Sequence, residues 1–240
     1  MNNGTKYITN LVDLILKQVL YNFKIIFGGK FFYFLLAAVG FFLMVSTISL
    51  FSNSNPDEGD IYNLLIFPGI LLVFYPTTFG IQNDDDSRML EIIFGIPNYR
   101  YKVWLVRFAL IQVMVFAILL ILGLVSSLAL VPIPIFEIVS HLMFLLFFLS
   151  ALAFMVSTLV KNGNGTAVVM IMIGFALWIL SGEFNNSEWN VFFNPLNMPS
   201  DMNETIWEER IFSNRLYLVC GGVVSLLYGL MNLQKREKFI

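Results

Sequence analysis

A helix needs about 20 apolar residues to cross the hydrocarbon core of a bilayer, and this chain offers six such runs: residues 31–51, 62–81, 104–131, 138–160, 166–181 and 215–233. The third is long enough to tilt or to extend past the membrane, and the fifth is short. No soluble fold can hide them. Charged residues make up 12% of the chain against about 25% in ordinary soluble domains, too few to coat a core this large. The reading is an all-α polytopic membrane protein with six transmembrane helices, one transmembrane domain over residues 1–240. Residues 1–30 precede the spans, 31–233 contain them and 234–240 form a tail.

Lysine and arginine placement orients the spans. An even number puts both termini on one side. That side receives Lys6, Lys17, Lys24, Lys30, Arg88, Arg100, Lys102, Arg107, Lys161, Lys235, Arg236 and Lys238, leaving only Arg210 and Arg215 opposite. Both termini are therefore expected in the cytoplasm, and the segment 182–214 outside. The lysines and Asp13 that precede the first apolar run argue against a cleaved signal peptide.

Two polar stretches on the cytoplasmic side carry amphipathic patterns. Near the N-terminus, Asn10, Asp13, Lys17 and Lys24 share a narrow arc, opposite Ile8, Leu11, Val12, Ile15, Val19 and Phe23. This fits an interfacial helix with lysines toward the headgroups, turned into the first span by Gly28 and Gly29. Between spans two and three runs NDDDSRMLEIIFGIPNYR. On a helical wheel, Ser87, Arg88, Glu91 and Gly95 fall on one side, and Met89, Leu90, Ile92, Ile93, Phe94 and Ile96 on the other. Asp86 is placed as its N-cap, with Asp84 and Asp85 beside the positive helix end. Gly95 and Pro97 stop it. Such a helix either lies on the membrane as a plain connector or docks onto protein.

This layout resembles the membrane subunit of ABC-2 type transporters. The matching residues are Asp86 at an acidic position, RMLEIIFGIP as the helix and proline, Arg100 as the following base, and Arg107 as the base entering span three. The family commonly has glutamate where Asp86 stands. The resemblance implies a coupling helix whose docking residues are Asp86, Arg88, Met89, Leu90, Glu91, Ile92, Ile93, Phe94, Pro97 and Arg100. It also implies short extracytoplasmic helices between spans five and six, with GEFNNSEWNVFFNPLNMPSD as the matching segment, including the Asn194-Pro195 pair. The aromatics of that segment suit the outer interface, and Trp189, Phe192, Phe193, Asn194 and Pro195 form either a gate over the exit of the path or a loop resting on the membrane. The implied partners are two copies of a cytoplasmic ABC ATPase, a second permease subunit, identical or related, and membrane lipid. ATP and magnesium belong to the ATPase. The implied place is a bacterial inner membrane, and the implied task is export of an amphipathic, lipid-like, drug or glycan substrate.

The chain's own chemistry agrees with a subunit that hydrolyses nothing. Lys30 follows two glycines, but the spacing of a phosphate-binding loop is absent. One cysteine, Cys220, and one histidine, His141, leave no Cys- or His-based metal set, so no cofactor is expected on this chain. A net charge of -2 gives no field for nucleic acid. Two other readings stay open. One is a scaffold that transports nothing. The other is an intramembrane magnesium-dependent prenyltransferase, suggested by the aspartates, although Ser87 breaks the usual motif. Inside the spans, ionisable residues are read as confined to the ends, which disfavours ion coupling. In the last span, Gly221, Ser225 and Gly229 recur every four residues, a spacing that lets helices approach closely.

Overall fold

The computed structural model describes residues 30–52, 56–95, 98–184 and 186–234, with the backbone alone at 94. The proposed interfacial helix before residue 30, Pro97 and the tail beyond 234 lie outside these residues. Seven helices occur among them, and no strand. They are α1 (Phe31–Phe51), α2 (Glu58–Asp86), α3 (Met89–Gly95), α4 (Arg100–Ala129, opening with a π-helical turn at Arg100–Leu105), α5 (Ile135–Val160), α6 (Gly163–Glu183) and α7 (Glu204–Asn232). All but α3 are long and apolar enough to cross a membrane, and the chain is an integral membrane protein.

The helices alternate in direction. At one end, Gln82 near the close of α2 accepts from the Gly163 N–H at the start of α6, and Asn232 at the end of α7 donates to the Thr158 carbonyl near the end of α5, at 2.7 Å. At the other end, Asn194 reaches the Gly59 carbonyl near the start of α2, at 3.0 Å. The first of these ends carries Arg88, Arg100, Lys102, Arg107 and Lys161, and is the basic end below.

Helix α5 is the centre, touching α2, α4, α6 and α7. Its Ile138, Leu142, Leu145 and Leu146 are fully buried against Leu65 and Leu72 of α2 and Val115 and Leu119 of α4. Glycines set the closest approaches. A Cβ at Gly222 of α7 would lie 2.5 Å from the Phe147 ring, and one at Gly229 would lie 2.9 Å from Phe154. Gly221 faces Phe148, and Ser225 is buried between them. The small-residue stripe of α7 thus seats α5, with Gly222 its tightest member. Helices α1 and α6 lie at the rim. Phe175, Trp178 and Ile179 of α6 are exposed, as lipid-facing residues are in a bilayer.

Helix bounds depart from the apolar runs where polar residues extend them. Helix α2 begins at a capping box, with Asp57 accepting from the Asp60 N–H at 2.8 Å and Asp60 accepting in return. Helix α7 begins at Glu204, capped by Asn203, eleven residues before the run that starts at Arg215. The residues from 204 to 214 are too polar to count toward a span, yet they continue the same helix. The extracytoplasmic helices expected between spans five and six do not form: the described residues of 184–203 are a chain of turns. Asn190 and Asn194 accept from the N–H two residues on, at 2.9 and 3.0 Å. These local turns compete with helix, and Pro195 and Pro199 supply no N–H to continue one.

Candidate functional site

The basic end is organised by the corner between α2 and α3. Asp86 is the last residue of α2 and not the cap of a new helix. Helix α2 carries on through the aspartates because Ser87 closes its final turn, bonding its hydroxyl to the Asn83 carbonyl at 2.7 Å. The reversal comes at Arg88, whose φ of 55° is left-handed and uncommon for a non-glycine residue. Helix α3 then lies across the bundle end. Leu90 and Ile93 are buried beside Ile81, Trp104, Phe154, Leu230 and Leu233, and Met89 is half-buried. Arg88, Glu91 and Ile92 face outward with Asp85 and Asp86, and Ile92 is 69% exposed. The wheel's apolar face is therefore divided, because one seven-residue helix cannot bury so broad an arc against a single surface.

Beneath α3, Asp84 and Arg107 form a buried ion pair between α2 and α4. All three aspartates stand at the negative end of the α2 dipole, an unfavourable place for a carboxylate. Only Asp84 points inward, and there the Arg107 guanidinium, itself 5.3 Å from the Trp104 ring centroid, balances it. The π-helical turn sets this geometry. Its wider repeat brings residues five apart toward one side, so Tyr99 and Trp104 are both buried. The Tyr99 hydroxyl donates to the Leu233 carbonyl at 2.5 Å, and Arg100 donates to Gln234 at 3.2 Å. Sequence reasoning singled out Asp86 and missed Asp84 and Tyr99. The signal was present: Thr77, Ile81 and Asp84 continue one inward stripe of α2 at helical spacing.

At the opposite end, the turns after α6 form a cap. Phe193 is buried against Trp207, ring centroids 4.8 Å apart, and the Trp207 indole N–H donates to the Pro195 carbonyl at 2.9 Å. Asn194 ties the cap to Gly59 and Asn63 of α2. Trp189 is exposed and stacks on Tyr217, centroids 4.4 Å apart. Asn214 of α7, 1% exposed, donates to the carbonyls of Glu188 and Asn190, both at 2.8 Å. Phe192 stands between two cavities. On one side is an apolar space of about 280 Å³ among α1, α2, α5 and α6, lined by Phe34, Phe67, Leu149 and Met170 among others. On the other is a polar space of about 360 Å³ lined by Asn63, Ser181, Asn186, Asn190, Asn194 and Asn197.

One ionisable group at a span end is buried on the far side of the bundle. Arg215, 5% exposed, lies eleven residues into α7. Runs of hydropathy placed it at a boundary that the helix passes through. Among the described residues no three His, Cys, Asp or Glu side chains converge as metal ligands. The aspartate triplet is divided between a buried pair and two exposed carboxylates. Comparison with protein-family models, with curated proteins and with solved structures returns no match.

Proposed function

We propose that this chain is the membrane-spanning permease subunit of an ABC-2 type transporter. It sits in a bacterial inner membrane with both termini in the cytoplasm. Two copies of a separate ABC ATPase and a second permease subunit, identical or related, complete it. The observation that carries the reading is α3. It is a short helix between spans two and three, pinned by Leu90 and Ile93 and offering Arg88, Glu91 and exposed Ile92 outward beside Asp85 and Asp86. An apolar side chain ringed by charges is the common form of a protein-docking spot. The corner is tied to α4, α5, α6 and α7 through Arg107, Trp104, Gln82 and Tyr99. A push on α3 by ATP-driven closure of the ATPase pair therefore reaches most of the bundle.

The substrate reading is export of an amphipathic molecule, whether lipid-like, drug or glycan. Its support is the apolar cavity that meets a polar one at Phe192, where a molecule with one greasy and one polar part is matched on both sides. Phe192, Phe193 and Trp189 serve as the exit gate, with the Asn194-Pro195 turn as its hinge.

The test is charge reversal on the corner. Asp86→Lys with Glu91→Lys is expected to lower ATPase co-purification about tenfold, the effect of roughly 1.4 kcal/mol of lost docking energy. Membrane insertion and elution profile stay as in the wild type, because both side chains are exposed. Full co-purification with normal ATP turnover would overturn the docking assignment.

A further inference from the structure

The end of the bundle away from the basic loops holds a buried cation that no carboxylate among the described residues pairs with. The Arg215 guanidinium donates to Asn214 Oδ1 at 3.0 Å and to the Tyr62 hydroxyl at 3.4 Å, and lies 5.9 Å from the Phe144 ring centroid. All three partners are neutral. Its Nε has no hydrogen-bond partner, and neither has Nδ1 of His141 on α5. Among the described residues no carboxylate forms an ion pair with it. Glu137, one turn before His141 on α5, is exposed. A buried charge left uncompensated costs several kcal/mol, and intramembrane ionisable residues mark function by default.

Depth and surroundings identify what balances it. The helix from Arg215 to Asn232 spans roughly 26 Å at 1.5 Å per residue, against a hydrocarbon core of about 30 Å. Arg215 therefore sits near the level of the far headgroups. On the other side of Phe144 is an open groove of about 340 Å³, lined by Gln112 of α4, Ser140, Met143, Phe144 and Phe147 of α5, and Val219 of α7. Its surface is almost wholly apolar. The Phe144 ring belongs to both places, lining the groove on one side and lying near the guanidinium on the other.

We propose that the groove and Arg215 form one binding site for an anionic phospholipid of the surrounding bilayer. An acyl chain fills the groove, and the phosphate meets the guanidinium when the Phe144 ring turns aside. The charge selects an anionic over a zwitterionic headgroup, and the groove selects a lipid over a free anion. The site does not depend on the transporter reading, because it uses no residue of the α3 corner.

The experiment is native mass spectrometry of the full chain in detergent, offered phosphatidylglycerol and phosphatidylcholine in equal amounts. The wild type is expected to retain phosphatidylglycerol preferentially. Arg215→Gln removes a charged hydrogen-bond donor and lowers that preference about tenfold or more. Val219→Trp fills the groove, leaves the Arg215 partners in place, and displaces the lipid; it decides the matter should Arg215→Gln fail to fold. No preference in the wild type, or unchanged phosphatidylglycerol retention in folded Val219→Trp, would overturn the proposal. Competition by millimolar inorganic phosphate that Val219→Trp does not alter would also overturn it, by marking a free-anion site.

Discussion

Arg107→Met is expected to be among the most damaging single substitutions in the chain. It leaves Asp84 buried at the negative end of α2 with its ion-pair partner gone. Breaking a buried pair from one side costs about 3–5 kcal/mol. At roughly 2–4 °C per kcal/mol for a chain of this size, the unfolding midpoint in detergent should fall by about 10 °C. The loss comes from the stranded carboxylate more than from the missing attraction, so Asp84→Asn combined with Arg107→Met should recover most of it. Thermal unfolding followed by size-exclusion fluorescence reads both variants. A double variant no more stable than the single one would show that packing of the Arg107 side chain against Trp104, and not the charge, holds α2 to α4. The same two variants bear on coupling, since this pair is a buried ionic tie between the α3 corner and the third span.

Asn214→Leu strikes the opposite end with comparable force. One carboxamide satisfies the buried carbonyl of Asn190 and the partly buried carbonyl of Glu188, and accepts from the Arg215 guanidinium. Leucine keeps the approximate volume and strands all three groups, at about 1–3 kcal/mol for each buried group left unsatisfied. The other ties of that part of the cap are the Trp189–Tyr217 stack and bonds from Arg210 to the Asn186 carbonyl and from Asn190 to the Ser181 carbonyl, and its backbone bonds are isolated turns. Hydrogen exchange at the Asn190 and Phe193 amides, which close turns onto Ser187 and Asn190, should quicken about a hundredfold, corresponding to roughly 3 kcal/mol. Amides in the middle of α5 should not change. Unaltered exchange in the cap would mean that its other contacts, Phe193 with Trp207 and Asn194 with α2 among them, keep it closed without Asn214.

Much of the architecture could be read from residue patterns. The six spans are legible because nothing but a bilayer accommodates such long apolar runs, and the bounds of α1 are those of its run. The short helix after α2 is legible from its wheel, with Gly95 as its last residue. What escaped has specific causes. Hydropathy ends a span where polarity begins, whereas helix hydrogen bonding does not, so the eleven polar residues that open α7 before Arg215 were not anticipated as helix. Three adjacent aspartates look equivalent in sequence. Which one turns inward depends on the phase of α2, fixed by Thr77 and Ile81 well before them. The left-handed Arg88 and the π-helical turn at Arg100–Leu105 leave no compositional trace, because neither position holds a glycine or proline. The asparagine turns of the cap could have been recognised from Asn190, Asn194 and Pro195, had local side-chain bonding been weighed against the family pattern of short helices.

The central claim is that the outward face of α3 is a docking surface for an ATPase. A photocrosslinking residue placed at Ile92, in the full chain expressed in its native host, tests it most directly. Ile92 faces away from the bundle, so the substitution should leave the fold intact. The account predicts one dominant adduct, a cytoplasmic protein with an ATP-binding phosphate loop, lost when Asp86→Lys and Glu91→Lys are added. Adducts to lipid alone, or to a partner without ATPase chemistry, would contradict it and leave α3 as a connector resting on the membrane.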